Sequence, residues 1–353
     1  MVDAEISRGP RAVRLTVAAV IDESPDARSL VFEVPEEHRT RFVYRPGQFL
    51  TLRIPGDRTG SVARCYSLAS SPHTDDAMKV TVKRTDGGYG SNWLCDNAEP
   101  GTTIEALPPA GTFTPASLDG AFLLWAAGSG ITPVMSILKS VLEAGTGRVI
   151  LCYANRDERS VIFAGELREL AARHAGRFTV LHWLESVQGL PTTAQMYRFA
   201  RLFTDHESFV CGPEPFMAVV TAALTEAGVP RNQIHTEVFR SLTGDPFTDE
   251  PVGEPDGTIA DERPPAEAVV VLDGETHVCE WPRTATLLDT MLARGLDAPY
   301  SCREGNCGSC AATVLEGEVD RGHSDILDPQ DVADGLILAC QTRPNSDSVR
   351  IEF

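Results

Sequence analysis

The sequence predicts a multidomain chain: a small antiparallel β-barrel, then an α/β domain on a parallel sheet, then an α+β domain. Three observations carry this expectation. The N-terminal third holds many short runs rich in Val, Leu, Ile, Phe and Thr, broken by Gly, Pro and Asp. From residue 121 onward apolar runs alternate with helical stretches, the pattern of βαβ units. Beyond a polar, proline-rich stretch, four of the nine cysteines cluster near the C-terminus. A length of 353 residues is too long for one ordinary core. The expected boundaries are 1–117 for the barrel, 118–240 for the α/β domain, 241–266 for a linker and 267–353 for the last domain.

The barrel strands are expected at 14–21, 28–34, 47–54, 64–70 and 78–84. On a strand through ARCYSLASS, Arg64 and Tyr66 share one face, and Ser67 points the other way or ends the strand. A cation beside a flat aromatic suits the pyrophosphate and the ring system of a flavin, although the short pattern is weak alone. In VKRTDGGYGSNWL, Gly88 and Gly90 precede Ser91 and Asn92 near a helix start, where N–H groups point at a diphosphate. Locally, a glycine turn with an N-cap serine and no ligand explains the same residues.

In the α/β region strands are expected at 121–127, 148–154, 178–184 and 207–211, with helices at 131–144 and 164–174. The run FLLWAA enters GSGITP, so Gly128 and Gly130 make a tight turn and Thr132 and Pro133 open a helix whose N-terminus faces anionic phosphate. ESFVCGPEPFM ends another strand at Cys211, and Gly212 with Pro213 turns into a helix. Ligands of open parallel sheets bind beyond the carboxyl ends of the strands, so both turns flank one crevice. Ligand-free glycine turns and a buried packing cysteine are the plain alternatives.

Residues 241–266 hold five prolines, three glycines, seven acids and one arginine, a composition that buries no core and reads as a linker. A strand at 267–272 and a helix at 286–295 then lead to the cysteines. Cys302, Cys307, Cys310 and Cys340 are spaced C-x4-C-x2-C, then 29 residues, then C, which is the plant-type spacing of a 2Fe-2S cluster. Gly305 and Gly308 allow the loop to curl closely around inorganic sulfide. Structural zinc more often uses paired C-x2-C knuckles, and nine cysteines with no signal-peptide pattern do not read as a disulfide framework. Cys65, Cys95, Cys152, Cys211 and Cys279 read as packing residues.

A net charge of −19 argues against nucleic acid and leaves room for a basic patch on a protein partner. The longest apolar run, residues 121–127, is far short of a membrane span, so a soluble, cytoplasmic protein is expected.

Taken in order, RCYSLASS, GGYGS, GSGITP, CGPEPFM, HTEVF and the four cysteines resemble the ferredoxin-NADP reductase superfamily fused to a plant-type ferredoxin domain. The resemblance covers almost the whole chain. It implies an FAD-binding barrel, a nicotinamide-nucleotide α/β domain and a β-grasp iron–sulfur domain. It further implies that Arg64 contacts the FAD diphosphate, Tyr66 stacks on the isoalloxazine and Ser67 hydrogen-bonds near N5, with Cys65, Val82, Lys83, Gly88, Gly90, Ser91 and Asn92 completing the FAD site. Gly128, Gly130, Thr132, Pro133, Asn155, Arg156 and Gly212 would hold the nicotinamide nucleotide. Ser67, Cys211 and Glu237 would stand at the point of hydride transfer, with Phe239 near the flavin. Because a linker follows Phe239 where related two-domain reductases end, its stacking role is the least direct of these.

In YANRDERS, Arg156 and Arg159 suit a 2′-phosphate, whereas Asp157 or Glu158 suits a free 2′-hydroxyl; the acids and the resemblance favour NADH over NADPH. The implied reaction passes electrons from NADH to FAD to the 2Fe-2S cluster and on to a Rieske-type non-haem iron oxygenase acting on a steroid. The alternatives are a reductase of an aromatic-ring or diiron oxygenase, and, in a different class, a non-catalytic metal-binding or redox-sensing protein.

Overall fold

The computed structural model describes residues 11–56, 60–247, 263–324 and 326–353. Most of the expected linker, 248–262, lies outside them. Two compact units emerge, one made of Val13–Pro109 with Phe113–Ser241 and one built on Leu242–Phe353.

The first unit opens with strands β1 (Val13–Ser24), β2 (Ala27–Glu33), β3 (Phe49–Pro55), β4 (Ser61–Ser67) and β5 (Met78–Lys83), helix α1 (Tyr89–Asn97) and strand β6 (Thr103–Ala106). They form one antiparallel sheet in the order β4-β3-β6-β1-β2-β5, and a bridge between Leu68 and Val80 joins its two edges into a barrel. Alternation fills it: Val13, Leu15 and Val17 of β1 and Leu50, Leu52 and Ile54 of β3 are all buried.

The chain then passes through β7 (Ala121–Ala127), α2 (Ile131–Glu143), β8 (Arg148–Asn155), α3 (Ala164–Arg173), β9 (Phe178–Leu184), a one-turn α4 (Glu185–Gln188), α5 (Thr193–Ala200), β10 (Glu207–Cys211), α6 (Glu214–Glu226) and β11 (Ile234–Glu237). The five strands are parallel, in the order β11-β10-β7-β8-β9. The unbroken apolar run of β7 follows from its two buried faces. Phe122, Leu124 and Ala126 pack with α2 and α3, whereas Leu123, Trp125 and Ala127 pack with α5 and α6.

Helix α2 is buried all round because it lies between the sheet and the barrel. Ser136 Oγ donates to Ser70 O at 2.6 Å, and Ser140 Oγ meets Ser71 Oγ at 2.9 Å. Lys139, almost fully buried, is neutralised by Asp75 at 2.6 Å and Glu166 at 2.8 Å; Glu166 also takes Lys79 at 3.2 Å. A buried ammonium needs such partners.

The second unit contains β12 (Ala266–Leu272), β13 (Glu275–Trp281), α7 (Leu287–Ala293), β14 (Ala311–Glu316), β15 (Val319–Asp320), α8 (Pro329–Ala333), β16 (Leu336–Leu338), β17 (Arg343–Pro344) and β18 (Ser348–Glu352). A mixed sheet in the order β13-β12-β18-β14-β16 carries α7, giving the α+β, β-grasp arrangement. The start of the expected linker departs from its composition: Leu242 and Phe247 are buried, and Thr243 and Gly244 donate to Glu304 at 2.8 and 2.6 Å. Two apolar side chains and one carboxylate acceptor tie 242–247 to this unit.

Among the described residues, no helix is long and apolar enough to cross a membrane.

Candidate functional site

Strand β7 leads to β8 and β9 on one side, and the chain then crosses to β10 and β11 on the other, so the order reverses between β7 and β10. Both glycine turns sit at that switch point. Gly128 has φ +54, and Gly130 comes so close to β10 that a Cβ there would lie 2.2 Å from Cys211 O. Thr132 Oγ1 donates to Ser129 O at 3.0 Å, closing the first turn of α2, with Pro133 buried next to it.

Against this turn stands β4 of the barrel. Ser67, at its end, donates through Oγ to Glu237 Oε2 at 3.1 Å, and Glu237 is the registered neighbour of Cys211 across β10 and β11. The three residues expected at one point of chemistry, distant in sequence, are therefore together. Burial pushes the Glu237 carboxyl up to about 8, with the Ser67 hydrogen bond opposing it. Burial, then the Glu237 charge, pushes the Cys211 thiol up.

A cleft of about 290 Å³ opens in front of β4. Arg64, Cys65, Tyr66, Ser67, Lys83, Gly88, Gly90, Ser91, Thr132 and Phe239 line it, as do Thr81, Thr85, Tyr89, Ser129 and Arg240. Helix α1 points its N-terminus here, and Gly90 packs so closely that a Cβ would meet Ile54 Cδ1 at 2.9 Å and Arg64 Cγ at 3.1 Å. A guanidinium, helix N–H groups and a half-buried aromatic ring fit the diphosphate and ring of FAD. A second cleft, of about 480 Å³, shares Lys83, Ser129, Phe239 and Arg240 with the first and adds Gly128, Gly212 and Glu214. The shared residues show that the two adjoin, as hydride transfer between a dinucleotide and a flavin requires.

Several expected residues line neither cleft. The Val82 side chain is buried in the barrel core. Asn92 spends its amide nitrogen on the carbonyls of Gly88 and Thr85, at 2.7 and 3.1 Å, and so shapes the loop. Gly130 and Pro133 act by close packing beneath the turn. Asn155, buried at the end of β8, has a side-chain amide without a hydrogen-bond partner among the described residues. Arg156 is bound by Asp26 of the barrel at 2.7 Å. Asp157, expected to accept from a ribose, caps a 3-10 turn by accepting from Ser160 N at 3.0 Å. The D-x-x-S pattern signals that cap in the sequence. Nothing local marks Asp26, because its contact depends on barrel and sheet meeting.

In the second unit the four expected cysteines converge. Cys302 is hydrogen-bonded to Cys307 and Cys310 to Cys340; the bond within each pair pushes Cys302 and Cys310 up and holds Cys307 and Cys340 down. Among the described residues, no three His, Cys, Asp or Glu side chains are placed to hold a single metal ion. Four neighbouring thiols fit the ligand set of a two-iron cluster. Gly305 (φ +79) and Gly308 (φ +72) make the loop's tight turns. Glu304 N donates to Cys302 Sγ at 3.4 Å, and Gln341 Nε2 to Cys340 Sγ at 3.5 Å. Arg303, with φ +60 and nearly fully buried, is anchored by Asp289 at 2.5 Å and by Gln341 on its carbonyl at 3.1 Å.

These features define a modular flavin and iron–sulfur oxidoreductase that takes FAD, NADH and a 2Fe-2S cluster. Family models agree: an oxidoreductase FAD-binding domain matches residues 14–114, an oxidoreductase NAD-binding domain 124–222, and a 2Fe-2S iron-sulfur cluster binding domain 270–345. The chain is 62% identical over 100% of both chains to the ferredoxin reductase component of 3-ketosteroid-9-alpha-monooxygenase from Rhodococcus rhodochrous. It is 58% identical to the same component from Mycolicibacterium smegmatis, over 98% of each chain. The chain belongs to that family of ferredoxin reductase components. Among solved structures, phthalate dioxygenase reductase shares the fold with a TM-score of 0.55 and 23% identity, over 97% of this chain and 98% of that one.

Proposed function

We propose that this chain is the reductase of a two-component 3-ketosteroid 9α-hydroxylating system, acting in the cytoplasm and delivering electrons from NADH to a Rieske-type non-haem iron oxygenase. The relatives' names support a monooxygenase acceptor and its 3-ketosteroid substrate. The bound groups supply the redox chemistry: FAD takes two electrons as hydride and releases them singly, and the 2Fe-2S cluster carries one at a time. In this reading the functional modules are 1–117, 118–240 and 267–353, with 241–266 between them.

The observation that carries the reading is that Ser67, on the wall of the first cleft, is hydrogen-bonded to Glu237, two residues before Phe239 on the wall both clefts share, and that Glu237 pairs with Cys211, next to Gly212 of the second cleft. Arg64 and the N-terminus of α1 hold the FAD diphosphate, and Tyr66 covers its ring. Ser67, fixed by Glu237, presents its hydroxyl to the reacting edge of the flavin. Gly128 and Gly212 let the coenzyme lie against the sheet, Gly130 lets the turn pack on β10, Thr132 and the N-terminus of α2 face the pyrophosphate, and Phe239 screens the junction from water. Cys302, Cys307, Cys310 and Cys340 ligate the irons, and Gln341 and the loop N–H groups orient the thiolates.

The test is anaerobic titration of the purified holoprotein with NADH, followed by turnover with a purified Rieske oxygenase and a 3-ketosteroid. Flavin and cluster absorbance should bleach in turn, and hydroxylated steroid should form in proportion to NADH consumed. A colourless protein that contains zinc would defeat the reading.

A further inference from the structure

The turn between β1 and β2 belongs to the barrel, yet Asp26 reaches the parallel sheet. Its Oδ2 lies 2.7 Å from Arg156 Nη2 and 3.8 Å from Lys83 Nζ. Its Oδ1 accepts from Ser24 Oγ at 2.8 Å, and its carbonyl accepts from Arg84 N at 2.8 Å, so the carboxylate is held rather than swinging freely. Lys83 lines both clefts, and its Nζ is 3.5 Å from where a Cβ on Gly128 would stand, which assigns it to the pyrophosphate side. Arg156 follows β8 directly, one βα unit beyond the Gly128 turn. At the carboxyl end of that second strand, sheets of this type meet the adenosine ribose, where an arginine favours a 2′-phosphate and an acid a free 2′-hydroxyl.

Asp157, the next residue in the chain, spends Oδ1 on capping the 158–160 turn, whereas Asp26 is the acid in contact with Arg156. The Arg156 side chain is 64% exposed, and ion pairs so open to water add little to stability. The Asp26 contact therefore does little to hold the fold.

We propose that Asp26 sets the coenzyme preference. By pairing with Arg156 it occupies a cation placed for a 2′-phosphate, and it sets a carboxylate beside that position. A free 2′-hydroxyl meets no such repulsion and donates to the same carboxylate. This rests on the reading that the chain oxidises a nicotinamide dinucleotide.

The experiment measures kcat/KM for NADH and NADPH with ferricyanide on full-length holoprotein, together with inhibition by adenosine 2′,5′-bisphosphate and by ADP. Wild type should favour NADH. Asp26→Asn should raise the NADPH-to-NADH ratio about tenfold or more and tighten adenosine 2′,5′-bisphosphate by a similar factor, the effect of one unit charge at a partly solvated contact. Adding Arg156→Ala to Asp26→Asn should return the ratio to the wild-type value. A pair that only joins barrel and sheet would lower both coenzymes together and leave the ratio unmoved. Asp26→Ser makes the same test if the asparagine variant yields no holoprotein.

An unchanged ratio in folded Asp26→Asn or Asp26→Ser overturns the proposal, and NADH oxidation by wild type then leaves the functional reading standing. A wild-type preference for NADPH also overturns it. Failure of wild-type holoprotein to oxidise either coenzyme defeats the functional reading, and the proposal falls with it.

Discussion

Replacing Glu237 by Gln should abolish a pH dependence that the wild type carries. Enclosure among Ser67, Cys211 and the carboxyl ends of β10 and β11 moves the carboxyl from 4.5 up to about 8, which is on the order of 5 kcal/mol against ionisation. The sign follows from linkage. Between 4.5 and about 8 the unfolded chain has released the proton and the folded chain has not, so stability falls as pH rises through that window. Glutamine keeps the shape and the acceptor for Ser67 but never ionises. Urea unfolding of flavin-loaded protein at pH 6 and pH 9 should therefore show a larger alkaline loss in wild type than in Glu237→Gln. The kcat/KM profile for NADH should bend near pH 8 in wild type alone. An alkaline loss of equal size in both proteins, or a bend that survives in the variant, would refute the reasoning.

Gly130→Ala sets a methyl 2.2 Å from Cys211 O, so NADH oxidation should collapse while flavin content is retained; normal KM and kcat would show that the turn has room to move. Lys139→Ala takes the shared cation from Asp75 and from Glu166, which keeps Lys79, and should cost about 2–3 kcal/mol in denaturant unfolding, with Lys139→Ala/Glu166→Ala costing less than the two single losses added. Arg177 donates to the carbonyls of Val141, Leu142, Gly145 and Gly147 at 2.8–3.1 Å beyond the end of α2, and Arg177→Ala should cost about 2–3 kcal/mol, read as a Tm lowered by several degrees. Cys302→Ser, Cys307→Ser, Cys310→Ser or Cys340→Ser should each weaken or abolish the cluster by iron analysis, whereas Cys279→Ser, on β13 away from the cluster loop, should leave iron content unchanged.

What was legible in the sequence was local or periodic. β7, β9 and β10 fall on the expected residues, because strands buried on one or both faces leave compact apolar runs between turn residues. Helix α2 was marked by Gly128, Gly130 and Pro133, each required by its turn. Shorter pieces such as β6 and β16 carry too few residues for a period to emerge. Helix α5 had a signal that went unread, the T-x-x-Q capping box of Thr192 and Gln195. Asn92 and Asp157, both read from the sequence as ligand contacts, spend side-chain atoms on nearby backbone, Asn92 on carbonyls and Asp157 on a turn N–H.

The rest of the site depends on pairs that no window of sequence contains. Ser67 and Glu237 are 170 residues apart, and Asp26 and Arg156 are 130 apart. The first pair was reached only through resemblance, and the second was not reached at all. Both cross from the barrel to the parallel sheet, as do Lys79 with Glu166 and Ser70 with Ser136. Motifs therefore identified the groups each module holds, since each ligand cradle is a local turn. The polar contacts across the seam decide which protonation state and which coenzyme the junction favours. Closely similar motifs in related reductases are accordingly compatible with different coenzyme preferences, because a substitution at a position such as Asp26 alters the junction while leaving every motif intact.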